Sequence, residues 1–276
     1  MSVRLGVCSW SLRPQGPREL AENVRSCGLR WVQLALDPLR SGDWSLDKTA
    51  RSLNKSGIGI ASGMISMRGE DYTSLASIRE TGGVRPDEHW EENARAAVDS
   101  AKLAKELGLK LVSFHAGFLP HSGQELVRRL MVERIRTIAD AFAAQDVRVA
   151  LETGQEEAET LLRVLQEIDR PNVGVNFDPA NMILYGMGDP HEALEQLAPH
   201  VMQVHVKDAL PSEKPDEWGT EVPVGKGAVD WTRFFEVLNE NVGPVDRMIE
   251  REAGDERVAD ILRAAKLVEK LGGTGS

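Results

Sequence analysis

Cysteine is scarce in this chain of 276 residues, which holds only Cys8 and Cys27. Two thiols build no disulfide scaffold, and their spacing matches no zinc motif. A reducing cytoplasm is therefore the expected compartment. Aromatic residues make up only 5%. No apolar run approaches the roughly 20 residues that cross a bilayer. The stretch 1–16, MSVRLGVCSWSLRPQG, has no apolar core of the signal-peptide kind. Membrane insertion and export are thus not expected. Positive charge is in deficit, with 33 Lys and Arg against 43 Asp and Glu, net −10. So acidic a surface repels phosphate backbones, and nucleic acid is not an expected partner. No Pro/Ser-rich linker divides the chain, and no glycine fingerprint for a dinucleotide follows the first apolar run.

What is present is a repeat of form. Short β-branched runs occur at 3–10, 30–36, 58–65, 109–116, 147–153, 172–178, 201–207 and 245–251. Helix-like segments lie between them: 18–27 closed by Gly28, 91–107 closed by Gly108, 124–144, 155–168, 190–197, 231–239, and 256–271 closed by Gly272. Eight units of about 34 residues have the size of a βαβ repeat. Strict alternation calls for a parallel sheet, and eight units suit a single-domain α/β fold, a closed (β/α)8 barrel over 1–271. Residues 272–276 are expected to be a frayed tail.

Strand residues alternate sides. The largely apolar sets, such as Val147, Val149 and Leu151, must face the helices. Glu152, Asp178, His205 and Glu250 then fall on the inward phase at the C-terminal ends of four consecutive strands, where barrel enzymes build their sites. Each alone could be a strand-end polar group satisfied by backbone. Together, three carboxylates and an imidazole on one axis repel unless a divalent cation joins them. Their oxygen and nitrogen donors suit Mn2+, Mg2+ or Co2+, with Zn2+ as the alternative.

At these positions the chain resembles the xylose isomerase-like barrels of the sugar phosphate isomerase/epimerase superfamily. The matching stretches are ALET (150–153), NFDPAN (176–181), VHVKDA (204–209), VPVGKGAVDW (222–231) and MIEREAG (248–254). The resemblance implies that Glu152, Asp178, His205 and Glu250 ligate one metal ion. It also implies that Glu152 and Glu250 form an acid/base pair, moving a proton beside a ketone through an enediolate. Asn181 departs from relatives that carry histidine there, which argues against a multi-zinc site. The implied activity is a metal-dependent isomerase or epimerase of a small sugar, sugar phosphate or keto-polyol. The resemblance allows a homo-oligomer.

Further candidates carry two readings each. His115 in SFHAG is a substrate contact or a structural histidine. Asn181 is a substrate contact or a turn cap. Lys207 binds an anionic or hydroxyl group, or pairs with a ligand carboxylate. Gln33 serves the substrate or fills a polar layer. Trp10, expected to end the first strand, and Trp90 and Trp218, beside long loops, could stack on sugar C–H faces or simply pack. Trp231 is expected to anchor a helix. Loops 66–90 and 208–228 are the longest unpatterned stretches. Lys226, in Gly225-Lys226-Gly227, is a phosphate contact or a solvated turn. The acidic runs 156–159 and 250–256 are expected at the surface, Glu250 excepted. Three other functions compete: a dehydratase acting on a keto-inositol or dehydroshikimate by the same metal-enolate logic; the AP endonuclease branch, disfavoured by net −10, six histidines and Asn181; and a non-catalytic sugar-binding barrel.

Overall fold

The computed structural model describes residues 3–271 except 124, 215 and 216. The expected tail 272–276 and Gln124, expected to open a helix, lie outside the described residues.

Eight parallel strands close into a barrel. They are β1 (Leu5–Cys8), β2 (Trp31–Ala35), β3 (Gly59–Met64), β4 (Leu111–Phe114), β5 (Arg148–Glu152), β6 (Val173–Phe177), β7 (Val201–Val206) and β10 (Asp246–Ile249). Between β7 and β10 the chain adds an antiparallel pair outside the wall, β8 (Asp208–Leu210) and β9 (Thr220–Val222). Around the barrel each strand pairs with its successor, β7 passes to β10, and β10 returns to β1 with Arg247 beside Leu5. Every expected run contains one barrel strand. Both faces of a parallel sheet are covered, which is why most of the strand residues are buried.

Helices fill the connections: α1 (Pro17–Ser26), α2 (Asp37–Ser41), α3 (Leu46–Lys55), α4 (Leu75–Thr81), α5 (Asp87–Glu106), α6 (Leu126–Ala143), α7 (Ala158–Ile168), α8 (Pro179–Tyr185), α9 (Pro190–Leu197), α10 (Trp231–Val237) and α11 (Arg257–Lys270). Side chains of Ser45, Ser74, Asp178, Asp189 and Asp230 accept hydrogen bonds from the first free amides of their helices. Val7, Val32, Val149, Val175 and Val204 point outward into the packed layer, where Phe142 and Phe234 meet them fully buried.

Several expectations need correction. β1 stops at Cys8, and Trp10 sits in a 3-10 turn, Ser9–Leu12, instead of ending the strand. The stretch 66–90 is not a bare loop. It contains α4, which Ser74 caps by accepting from Ser77 N, and the start of α5, four residues before the expected Glu91. Pro86 sets that earlier start, followed by Asp87 and Glu88 at the positive helix end. The stretch 208–228 contains two paired strands, β8 and β9.

Asp208 anchors that pair. Its Oδ2 accepts from Gly225 N (2.8 Å), Gly227 N (3.1 Å) and Trp231 Nε1 (3.0 Å), while Oδ1 accepts from Ala209 N (2.9 Å) and Val229 N (3.2 Å). A side chain at Gly227 would put its Cβ 2.0 Å from Asp208 Oδ1. The stretches VHVKDA and VPVGKGAVDW therefore meet through one carboxylate. Trp231 packs on Phe234 and Phe235 in the core, as its anchoring role requires.

Inside the barrel a polar floor lies below the mouth. Gln33 Nε2 donates to Ser113 Oγ (2.8 Å), Ser62 Oγ to Gln203 Oε1 (2.6 Å), and Gln203 Nε2 to Asn176 Oδ1 (3.2 Å). All five residues are fully buried, so each partner prevents the loss of a water hydrogen bond.

Candidate metal centre and cavity

Glu152 is the last residue of β5, and His205 lies one residue before the end of β7. Asp178 and Glu250 directly follow β6 and β10. The two-residue period turns all four inward, and their ligand atoms lie within 4.8 Å of one another. Each is at most 3% exposed. From His205 Nδ1 it is 3.3 Å to Glu152 Oε1, 3.6 Å to Asp178 Oδ2 and 3.4 Å to Glu250 Oε2.

The surrounding hydrogen bonds sort the oxygens into held and free. Asp178 Oδ1 accepts from Ala180 N (2.8 Å) and Asn181 N (3.0 Å), so the ligand carboxylate is also the cap of α8. Glu250 Oε1 accepts from Trp10 Nε1 at 2.6 Å. Glu152 Oε1 accepts from Asn181 Nδ2 at 3.0 Å. Asp178 Oδ2 and His205 Nδ1 are buried with no hydrogen-bond partner, and Glu250 Oε2 has the Lys207 ammonium beside it at 3.0 Å. On the far edge of the ring, His205 Nε2 lies 2.8 Å from Gln33 Oε1. That oxygen can only accept, because the Gln33 amide nitrogen faces Ser113 Oγ and Gly63 O. Asn176 Nδ2, which can only donate, lies 2.9 Å from the same Nε2, so that edge of the ring is gripped by one acceptor and one donor, while Nδ1 faces the carboxylates. Acceptors facing acceptors in a dry site call for a cation, and a divalent ion ligated by O, O, N and O fits.

The electrostatics express the same demand. Burial would lower the His205 pKa, but the charges of Glu152 and Glu250 outweigh it and hold it well above the usual range. Burial opposes ionisation of Glu250, yet Lys207 and His205 keep its carboxyl well below the usual range. Burial pushes Asp178 up.

Above the cluster opens a cavity of about 480 Å3. His115, Asn181, Lys207, Trp10 and Trp218 line it. His115 Nε2 is 3.6 Å from Glu152 Oε1, and its buried Nδ1 has no partner. Asn181 is not the turn cap, since Asp178 takes that role; its side chain joins Glu152 to Lys207, whose Nζ donates to Asn181 Oδ1 (3.2 Å). Lys207 Nζ also donates to Glu252 Oε2 (2.7 Å) and pairs with Glu250 Oε2 at 3.0 Å. The Trp218 ring lies 4.9 Å from that of Tyr185.

Other candidates fall elsewhere. Gln33 does not reach the cavity; it belongs to the polar floor and supports His205 from below. Trp90 packs under the Arg134 guanidinium at 5.0 Å, away from the cavity. Lys226 is exposed outside it, and Asp208 takes the amides of its two flanking glycines. Glu156, expected at the surface, is buried. Glu252 was expected to be surface, but it lines the cavity; the two-residue step from Glu250 carried that signal. Glu70 and Tyr72, from the loop before α4, also line it, and no periodicity marked them.

Comparison with known proteins places the chain. The family model described as xylose isomerase-like TIM barrel matches residues 21–271, and the chain belongs to that family. A xylose isomerase domain protein from Planctomyces limnophilus is 30% identical, with a TM-score of 0.83 over 91% of this chain and 90% of that one. A D-allulose 3-epimerase from Methylomonas sp., solved with D-allulose, superimposes with a TM-score of 0.74 over 98% and 97% of the two chains at 13% identity, a likeness of fold alone. A 3-oxo-isoapionate decarboxylase from Pectobacterium atrosepticum is 24% identical over 120 residues, 42% of this chain and 43% of that protein. The chain spans less than half the length of the curated relatives it matches, 43% and 41%. Among the described residues, no helix is long and apolar enough to cross a membrane.

Proposed function

We propose that this xylose isomerase-like barrel is a metal-dependent isomerase or epimerase of a small sugar, sugar phosphate or related keto-polyol. The observation that carries the reading is the convergence of four buried side chains, Glu152, Asp178, His205 and Glu250, with Asp178 Oδ2 and His205 Nδ1 lacking any hydrogen-bond partner. Together they would hold one Mn2+, Mg2+ or Co2+ ion, or Zn2+. Such an ion supplies Lewis acidity toward a ketone oxygen and so acidifies the neighbouring C–H.

The chain's own groups supply the proton traffic. Glu152 and Glu250 come from β5 and β10, with β6 and β7 between them along the wall, so they address a bound ketone from separate directions. One carboxylate takes the proton from the carbon beside the carbonyl. The C–H electron pair forms the C=C bond of an enediolate. The other carboxylate returns a proton to the opposite face for epimerisation, or to the adjacent carbon for isomerisation. Trp10 orients Glu250, and Asn181 orients Glu152. His115, Asn181 and Lys207 meet substrate hydroxyls, and Trp10 meets C–H faces.

A lyase reading uses the same enediolate: a dehydratase takes the same proton and then expels the β-hydroxyl as water, whereas a decarboxylase forms the enediolate from the C–C electron pair as CO2 leaves the carbon beside the ketone. The partial likeness to a decarboxylase favours keeping it as the second reading. Elemental analysis of the purified protein, followed by incubation with ketoses in deuterated water, tests the proposal. One bound divalent ion and deuterium at the carbon beside the ketone are expected. Loss of water or CO2 from the substrate supports the lyase. No metal and no exchange overturns both.

A further inference from the structure

The cations around the cavity are already neutralised. Among the described residues, Lys207 and His115 are the lining groups able to carry positive charge, and no arginine lines it. Lys207 lies against two carboxylates, Glu252 at 2.7 Å and Glu250 at 3.0 Å. His115 faces Glu152. Behind the wall, the buried Arg251 is shared between Glu221 (2.7 Å) and Asp260 (2.9 Å), and Arg40 is held by Asp37 at 2.6 Å. The amides that could cradle a phosphate near the β8–β9 pair, those of Gly225 and Gly227, are given to Asp208. Glu70 adds a lining carboxylate that makes no ion pair among the described residues and shares the charge of His115 with Glu152; its Oε1 accepts from Gly83 N at 3.0 Å. Even a divalent ion leaves the balance negative, because Glu152, Asp178 and Glu250 together exceed its charge. The remaining wall suits the C–H face of a polyol, with Trp10, Trp218, Tyr72 and Tyr185 around it.

We propose that the cavity admits an uncharged polyhydroxy ketone and rejects phosphorylated and carboxylated ones, with Glu252 and Glu70 as the residues that set this preference. The proposal rests on the reading of the site as a metal-dependent keto-polyol centre. An incoming phosphate or carboxylate finds no free cation and meets unneutralised carboxylates in a partly dry space. That is the like-charge juxtaposition by which binding sites exclude wrong partners. The consequence separates this chain from a relative named as a decarboxylase, whose substrate must carry a carboxylate.

The test is calorimetric binding to the Mn2+-loaded protein, with deuterium exchange as a second readout. The probes are D-fructose and D-ribulose, the terminal phosphate of each, and 2-keto-D-gluconate. An uncharged ketose should bind, and its phosphate and the keto acid should bind at least about 30-fold more weakly. Glu252→Gln and Glu70→Gln should each narrow that ratio about fivefold or more, by removing one repelling or neutralising charge. A phosphate or keto acid that binds as well as the uncharged ketose overturns this inference while leaving the metal-centre reading standing. Binding of neither class to metal-loaded protein also overturns it. If the protein takes up no metal, the underlying reading fails instead. An unchanged ratio in both variants removes the assignment to Glu252 and Glu70.

Discussion

Gln33 Oε1 stands 2.8 Å from His205 Nε2, on the ring edge away from Glu152, Asp178 and Glu250. One amide on β2 thereby holds the orientation of an imidazole on β7 across the barrel interior, on the edge it shares with Asn176 Nδ2 at 2.9 Å. Gln33→Leu removes the acceptor while keeping the volume. Metal affinity should fall about 10–100-fold, as for other groups that orient a ligand. Titration with Mn2+ measures it, and circular dichroism checks that the fold persists. Unchanged affinity would show that the ring needs no such support.

Metal should stabilise the chain and do so more at higher pH. A site filled at 100 times its Kd contributes about 2.7 kcal/mol, visible as a rise in Tm. His205 resists deprotonation because Glu152 and Glu250 outweigh the opposing effect of burial, and its pKa lies well above 6.5. Its proton must leave Nδ1 before a metal binds, so the metal-induced rise should grow with pH above 6.5. Melting curves with and without Mn2+ across that range decide it; a rise that shrinks with pH contradicts the ligand assignment.

Glu152→Gln and Glu250→Gln should each cut solvent-deuterium incorporation by about 100-fold or more. Mass spectrometry of recovered ketose measures this, with metal content determined on the same samples. Full exchange in a variant that still binds metal would exclude that residue as a proton carrier.

Glu156 shows the opposite pH behaviour. Burial alone pushes its carboxyl from 4.5 up to about 8. The folded state then holds a proton that the unfolded state has lost between those values. Stability from this group is therefore present below pH 4.5 and lost as pH rises towards 8. Glu156→Gln should match the parent in acid and exceed it by on the order of 2–4 kcal/mol above that window. Urea melts at pH 5 and pH 8.5 give the comparison, and equal differences at both would refute it.

Asp208→Ala leaves five donors without their acceptor, three of them on the segment 225–229. A loss of about 2–4 kcal/mol is expected. Gly227→Ala should cost a similar amount, because the new Cβ would collide with Asp208 Oδ1. Thermal melts check both, and a neutral effect of either would deny the β8–β9 pair its anchor.

How much of this was legible depended on backbone regularity. Along a strand the side of each residue is fixed by parity, so Glu152, Asp178, His205 and Glu250 could be placed on one phase without coordinates. Beyond the strand ends parity fades. Glu252 kept the phase of Glu250 but sat in an acidic run that looked like a solvated helix start. Glu70 and Tyr72 sit in a loop linked to the chain beyond β4 by a relay: Glu70 Oε1 accepts from Gly83 N (3.0 Å), Val84 N donates to Ala116 O (3.0 Å), and Gly83, at φ 63°, passes where any Cβ would strike that carbonyl. Such a contact joins residues far apart in the chain and leaves no periodic trace. Gln33 was visible as inward-facing, but its height relative to His205 depends on strand stagger, which composition does not encode.

The four residues from His205 to Asp208 combine tasks that most proteins distribute more widely. Two of them face the barrel mouth, and the last knots the following strand pair. Inserting or deleting a single residue there would exchange inside for outside and untie the knot in the same event. This short segment is held to a fixed count, and diversification of the barrel must proceed around it.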